Sequence, residues 1–171
     1  MIRLTGITMI AAAVFFLGMQ KSFLMKKRIA SLYQFKTVLH MLRGEIAFSG
    51  RILEDALMDI SERCGEPFDR FFEEISSKMK NERGRSFSDI WVEAEILLDG
   101  SGMEEEELHL LRKMGKELGF LDMEMQLNTI SLVENGLEPI IGKLEQNKDS
   151  FCRMYQSLGI LGAMAVMIVM I

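Results

Sequence analysis

Apolar residues gather at both ends of the chain and recur at helical spacing between them. Leu4–Met19 is almost free of polar groups, and so is Leu158–Ile171. All 25 acidic residues lie between Glu45 and Asp149. At a rise of ~1.5 Å per residue, the first run covers ~24 Å and the second ~21 Å, against a hydrocarbon core of ~30 Å. Lys21 can snorkel to the headgroups, and Ser22–Met25 then extends the first run. Tyr155 suits the interface ahead of the second run, and Gly159 with Gly162 gives that run a smooth packing face. The pattern predicts a membrane anchor at each end, residues 1–25 and 158–171, around a helical domain at 26–157. A cleaved signal peptide is the alternative for the first run. Ala11-Ala12-Ala13 sits mid-run with no small-x-small site after it, which favours a retained anchor. A buried core helix is the alternative for the second, and its lack of a polar face argues against that.

The middle reads as helix throughout, with no sustained alternation. Leu32, Phe35, Leu39, Leu42 and Ile46 recur at spacings of 3, 4, 3 and 4, a heptad seam on a first helix that continues the anchor to about Phe48. Leu53, Ala56, Leu57, Ile60 and Cys64 mark a second helix, stopped by Gly65. Pro67 sits at the first turn of a third, where its missing N–H costs nothing, and Phe68, Phe71, Phe72, Ile75 and Met79 form its apolar stripe. Ser86 or Ser88 can cap a fourth, with Ile90, Trp91, Ala94, Leu97 and Leu98 inward, ended by Asp99-Gly-Ser-Gly102. A fifth opens with Glu104–Glu107, whose charges complement the helix dipole, and runs through Leu108, Leu111, Met114 and Leu118. Gly115 and Gly119 share one of its faces, open to a neighbouring helix. Asp122 looks like the N-cap of a long last helix in which Met123, Leu127, Ile130, Leu137, Ile141, Leu144, Phe151, Tyr155 and Leu158 keep a heptad pattern that skips Glu134 and Lys148. Pro139 predicts a kink or break near Leu137. Short loops make antiparallel neighbours. The fold class is therefore all-α, an antiparallel six-helix bundle flanked by N- and C-terminal transmembrane helices. Its first and last helices lie side by side, with positions near Ala30 and Tyr155 adjoining.

Charge fixes orientation. The first 44 residues hold seven Lys or Arg and no acid, four of them (Lys21, Lys26, Lys27, Arg28) just after the apolar run, and Arg153 precedes the second run. Basic flanks mark the cytoplasmic side, so the middle faces the cytoplasm. Ile29–Ser157 carries 15 basic and 25 acidic residues, a formal −10. Such a domain avoids nucleic acid, while the basic collar sits on headgroups. Cys64 and Cys152 read as reduced thiols. The 15 methionines are mostly adaptable apolar fillers.

No Gly-rich phosphate loop, HExxH or CxxC is present, and His40 and His109 have no carboxylate at metal spacing. The reading is no enzyme, no cofactor and no metal. What remains is an adaptor, and Glu104, Glu105, Glu106 and Glu107 are the sharpest candidates for docking a basic partner. The simpler reading of that run is a helix N-terminus stabilised by its dipole. Were a helical active site present, Asp122 and Glu45 would be the first carboxylates to suspect. Helix capping and an interhelical hydrogen bond are their simpler roles. A membrane-tethered dimerisation or regulatory module, with seams paired between chains, is the alternative.

The order of an N-terminal anchor, LHMLRGEIAFSGRILEDAL at Leu39–Leu57, Trp91, LRKMGKELGFLDMEMQ at Leu111–Gln126 and MYQSLGILGA at Met154–Ala163 resembles the stage III sporulation protein AB family over essentially the whole chain. The residues that carry the resemblance are Glu45, Trp91, Leu118, Gly119, Asp122, Gln126, Tyr155 and Gly159. Where the family tends to have Tyr after Glu-Ile, this chain has Ala47-Phe48, and Met114 replaces the Leu of the first Leu-Gly. The resemblance implies a bundle similar to the helical domains of type II secretion and type IV pilus platform proteins. It also implies a place in the channel that joins mother cell and forespore in endospore-forming bacteria. Expected partners are the membrane on the mother-cell side, other channel subunits and a cytoplasmic ATPase, the AA protein of the same operon.

Overall fold

The computed structural model describes residues 2–49, 52–119 and 122–170. Six α-helices follow one another: α1 (Ile2–Gly44), α2 (Leu53–Arg63), α3 (Phe68–Asn81), α4 (Phe87–Ala94), α5 (Glu105–Leu118) and α6 (Met123–Met170). A wider π-type turn at Glu45–Ser49 prolongs α1, and a tighter 3-10 turn at Glu95–Leu98 prolongs α4. No strand occurs among the described residues. The chain forms two compact units, a central one of Ala30–Ile141 and a terminal one of Met1–Ile29 with Gly142–Ile171.

In the central unit the expected stripes meet. Leu32, Phe35, Leu39 and Leu42 of α1 are completely buried, as are Phe68, Phe71, Phe72 and Ile75 of α3. Phe35 stacks on Phe68 at 5.5 Å, and Phe71 meets Trp91 edge-on at 5.0 Å. Spacings of three and four put such residues on one helix face, and five stripes close one core. The α1 seam is thus filled from within its own chain. Leu97 is a departure: it is exposed, while Leu98 takes the inward position.

Antiparallel pairing of α1 with α6 follows from two contacts of the central unit. Lys36 Nζ lies 2.7 Å from Glu138, and His40 Nδ1 lies 3.2 Å from Glu134, so a four-residue advance on α1 matches a four-residue retreat on α6. The predicted break at Pro139 is absent, since α6 runs through it. Leu137 and Ile140 on either side are buried, and that packing outweighs the ~3 kcal/mol an interior proline costs.

In the terminal unit the same two helices pair through Ser22 Oγ, which donates to the Cys152 carbonyl at 3.4 Å. That register places Tyr155 at the level of Met19, not beside Ala30 as the sequence reading had it. Gly159 is buried, and Phe151 packs on Tyr155 at 5.5 Å. The expected pair of transmembrane helices finds no support at this level: no helix among the described residues is long and apolar enough to cross a membrane. Both apolar runs fall short of ~30 Å, and most side chains of Leu4–Met19 lie outside the described residues.

Candidate interaction surface

An α-helix begins with unsatisfied N–H groups. At the start of α5 the chain meets them with its own glutamates. Glu104 is the N-cap and accepts from the backbone three residues on, and the Glu107 carboxylate accepts from the Glu104 N–H at 2.6 Å. Glu107 is completely buried by this reciprocal cap. Glu105 takes one arm of Arg112, whose Nε donates to Glu95 at 2.7 Å while a second arm reaches the other Glu95 oxygen. These bonds, Glu95 first and Glu105 second, hold the Arg112 guanidinium above its usual range, and Arg112 holds Glu105 below the usual carboxylate range. Of the four acids singled out in the sequence, Glu107 is interior and Glu105 is committed to Arg112. Glu106 is exposed, with no ion pair among the described residues.

The residues that carry the family resemblance have structural work visible in the geometry. Asp122 Oδ1 accepts from the Met125 N–H at 2.9 Å, the N-cap expected of it. Gln126 Nε2 donates to the Leu118 carbonyl at 2.8 Å, tying the last turn of α5 to the first of α6. Glu45 accepts from Arg63 at 3.0 Å, joining the end of α1 to α2. Gly119 and Gly115 let α5 approach α4. A Cβ on Gly119 would lie 2.5 Å from Phe87 Cβ, and one on Gly115 would overlap the Trp91 ring. Leu118 and Trp91 are completely buried. Ser86 is the N-cap of α4, as expected, but without a side-chain bond.

The sequence reading missed a cluster between α1 and α6. Glu134, skipped in the heptad pattern as a polar residue, is buried with His40 at 3.2 Å and Arg43 at 3.8 Å. His40 therefore has a carboxylate neighbour after all, on a helix too distant in sequence for spacing rules to find. The signal was Glu134 itself, a charged residue standing at a seam position. Elsewhere the charges pair on the surface: Lys78 bridges Glu74 and Glu93, and Arg85 bridges Glu82 and Glu93. Burial, then the charge of Asp69, pushes the Cys64 thiol up to about 11, so it is inert at neutral pH.

Two clefts hold little space. One of about 30 Å³ is lined by Leu110, Lys113, Glu117, Thr129, Leu132 and Val133, and one of about 100 Å³ by residues including Met79 and Phe87. Small-molecule sites run ~300–1,000 Å³. Neither of these two clefts reaches that size. Among the described residues no group of three metal-ligating side chains comes together.

No curated protein matches the chain. A solved structure described as stage III sporulation protein AB matches in fold, with a TM-score of 0.64 and 23% identity, covering 71% of this chain and 96% of that one. The sequence pattern of the family described as stage III sporulation protein AB matches residues 3–171. With the pattern running the length of the chain and its motif residues engaged in capping and helix packing, this protein belongs to the stage III sporulation protein AB family.

Proposed function

We propose that this chain is a non-enzymatic platform subunit of the mother cell–forespore channel. In this reading the terminal unit sits in the mother-cell membrane as a two-pass hairpin. The central unit faces the cytoplasm and couples the membrane complex to the cytoplasmic AA-type ATPase of the same operon, beside other channel subunits. The observation that carries it is the change in one pattern along α6. Ile130, Leu137 and Ile141 of the heptad are buried in the central unit, whereas Phe151 and Leu158 of the same heptad are 41% and 56% exposed in the terminal unit. On α1 the terminal unit exposes Phe16 at 64% and Phe23 at 67%. Two helices cannot cover each other's outer faces, and contiguous exposed apolar stripes mark contact with lipid or protein. The short runs fit a membrane if flanking lysines snorkel and the bilayer thins locally.

The test is retention of the purified ATPase on the full-length chain in mild detergent, with wild type and with Glu105→Lys/Glu106→Lys. Glu104 and Glu107 stay untouched, because reversing them would open the start of α5. Retention by wild type and loss on reversal supports the coupling role and its surface. Retention that ignores the reversal moves the contact elsewhere on the chain. No retention by wild type refutes direct coupling to the ATPase.

A further inference from the structure

The basic residues divide by unit in a way composition alone hides. The terminal unit holds eight Lys or Arg against two acids, Glu145 and Asp149, a formal +6, which leaves twelve against 23 in the central unit, a formal −11. Pairing leans the same way. In the central unit Lys36, Arg43, Arg63, Arg70, Lys78, Lys80, Arg85 and Arg112 have carboxylate partners, while Arg83, Lys113 and Lys116 have none among the described residues. In the terminal unit Lys21, Lys26, Lys27, Lys148 and Arg153 have none among the described residues, while Arg28 is engaged.

The Ser22–Cys152 contact sets their heights. Lys21 and Arg153 each lie one residue from it, on facing helices running opposite ways, so they share a level. Lys26 and Lys148 share a second level, four residues from the contact on its other side and five residues, ~7.5 Å at ~1.5 Å per residue, from the first level. Lys27 adds a third cation at that second level. Lys21, Lys26, Lys27 and Arg153 are exposed and Lys148 is half-buried. Asp149 is the one acid within the band, and it too is exposed. Phe23, Leu24 and Phe151 are exposed within this band, and beyond Lys21 and Arg153 the exposed apolar positions continue with Phe16 and Met19 on α1 and Leu158 and Leu161 on α6.

We infer that these five cations form a two-helix collar that binds the phosphates of anionic phospholipids at headgroup level. The inference rests on the membrane reading of the terminal unit and deepens it. The sequence pointed to the cations after the first apolar run and to Arg153 before the second, and it is the pairing of α1 with α6 that adds Lys148 and brings it and Arg153 level with Lys26 and Lys21. Unpaired cations beside an apolar band are what an anionic surface attracts, whereas zwitterionic headgroups offer no net charge to hold them.

The experiment is cell-free synthesis of the full chain in the presence of vesicles, followed by flotation. One set is phosphatidylcholine alone, and the other is about three parts phosphatidylcholine to one of phosphatidylglycerol. Wild type is compared with Lys26→Gln/Lys27→Gln and with Lys148→Gln/Arg153→Gln, as glutamine keeps helix propensity. The expected result is stronger capture on the anionic set, reduced by roughly 25-fold in partition for either pair, with the preference shrinking in high salt. Equal capture on both sets overturns the collar and leaves the membrane reading standing. A loss confined to the α1 pair overturns the two-helix arrangement. No capture on either set overturns the membrane reading and the collar with it.

Discussion

Gly115 and Gly136 are both interior helix glycines of the central unit, and alanine at each should shift stability in opposite directions. In a helix interior Gly→Ala gains ~1 kcal/mol from propensity alone. At Gly115 the new methyl would overlap Trp91 Cδ1 and Cγ and lie 2.6 Å from Cδ2. The ring cannot step aside. Trp91 is completely buried, with Phe71 at 5.0 Å, Phe87 at 5.5 Å and Phe72 at 6.0 Å around it. Restoring ordinary contact at ~3.5–4 Å therefore means moving α5 away from α4 by ~1 Å or more, which breaks packing along both. Overpacking of this kind costs ~1–3 kcal/mol, and the upper part applies here because rigid ring atoms are struck. The net expectation for Gly115→Ala is a loss of ~1–2 kcal/mol. At Gly136 the methyl would meet only the Leu110 methyl groups at 3.3 Å, the far end of a flexible, half-buried side chain. There propensity wins, and Gly136→Ala should gain ~0.5 kcal/mol. Guanidinium unfolding of the full chain in mild detergent, followed by the fluorescence of its one tryptophan, reads the central unit in both variants. If Gly115→Ala proves as stable as wild type, the close approach of α4 and α5 is wrong.

Glu134→Leu fills a heptad seam position with an apolar side chain and removes a buried carboxylate whose Oε1, although 3.2 Å from His40 Nδ1, accepts no well-aligned hydrogen bond. The same unfolding assay should find it neutral or more stable by ~1 kcal/mol, and a large loss would mean the His40–Glu134–Arg43 cluster is needed to hold α1 on α6. Glu93 is held below the usual carboxylate range by Lys78 first and Arg85 second. A depressed folded-state value stabilises above the unfolded value and is lost as pH falls through the folded one, so its contribution is present at neutral pH and fades in acid. Glu93→Gln should flatten the unfolding midpoint's dependence on pH as pH falls below about 5, where the unfolded carboxylate begins to bind protons that the folded one does not. A profile as steep as wild type would show that this exposed triad contributes nothing measurable.

Local rules read from the sequence reached far because most of them act within one or two helical turns. Stripes at three- and four-residue spacing are properties of a single helix, so the core positions Leu32, Phe35, Phe68, Phe71, Trp91, Leu111 and Leu137 were legible before any helix was placed. So was the cap at Asp122, whose bond reaches only three residues on. Glutamates at a helix start were legible too, but two uses compete for them, and only the packed structure turns Glu107 inward as a cap and sets Glu105 against Arg112.

What the tertiary structure alone decided is everything that depends on which helix faces which. Gly115 became a contact because α4 brings Trp91 against it, and Glu134 became a partner because α6 runs back along α1. The register of that pairing set Tyr155 near Met19, and brought Lys148 and Arg153 level with Lys26 and Lys21. Spacing along one chain carries no information about such heights, since they are fixed by packing between segments more than a hundred residues apart, as Ser22 and Cys152 are. The heptad of α6 is the plainest case: apart from Glu134 and Lys148 its apolar repeat continues from the central unit into the terminal one, and whether a position is core or surface depends on how many helices surround it.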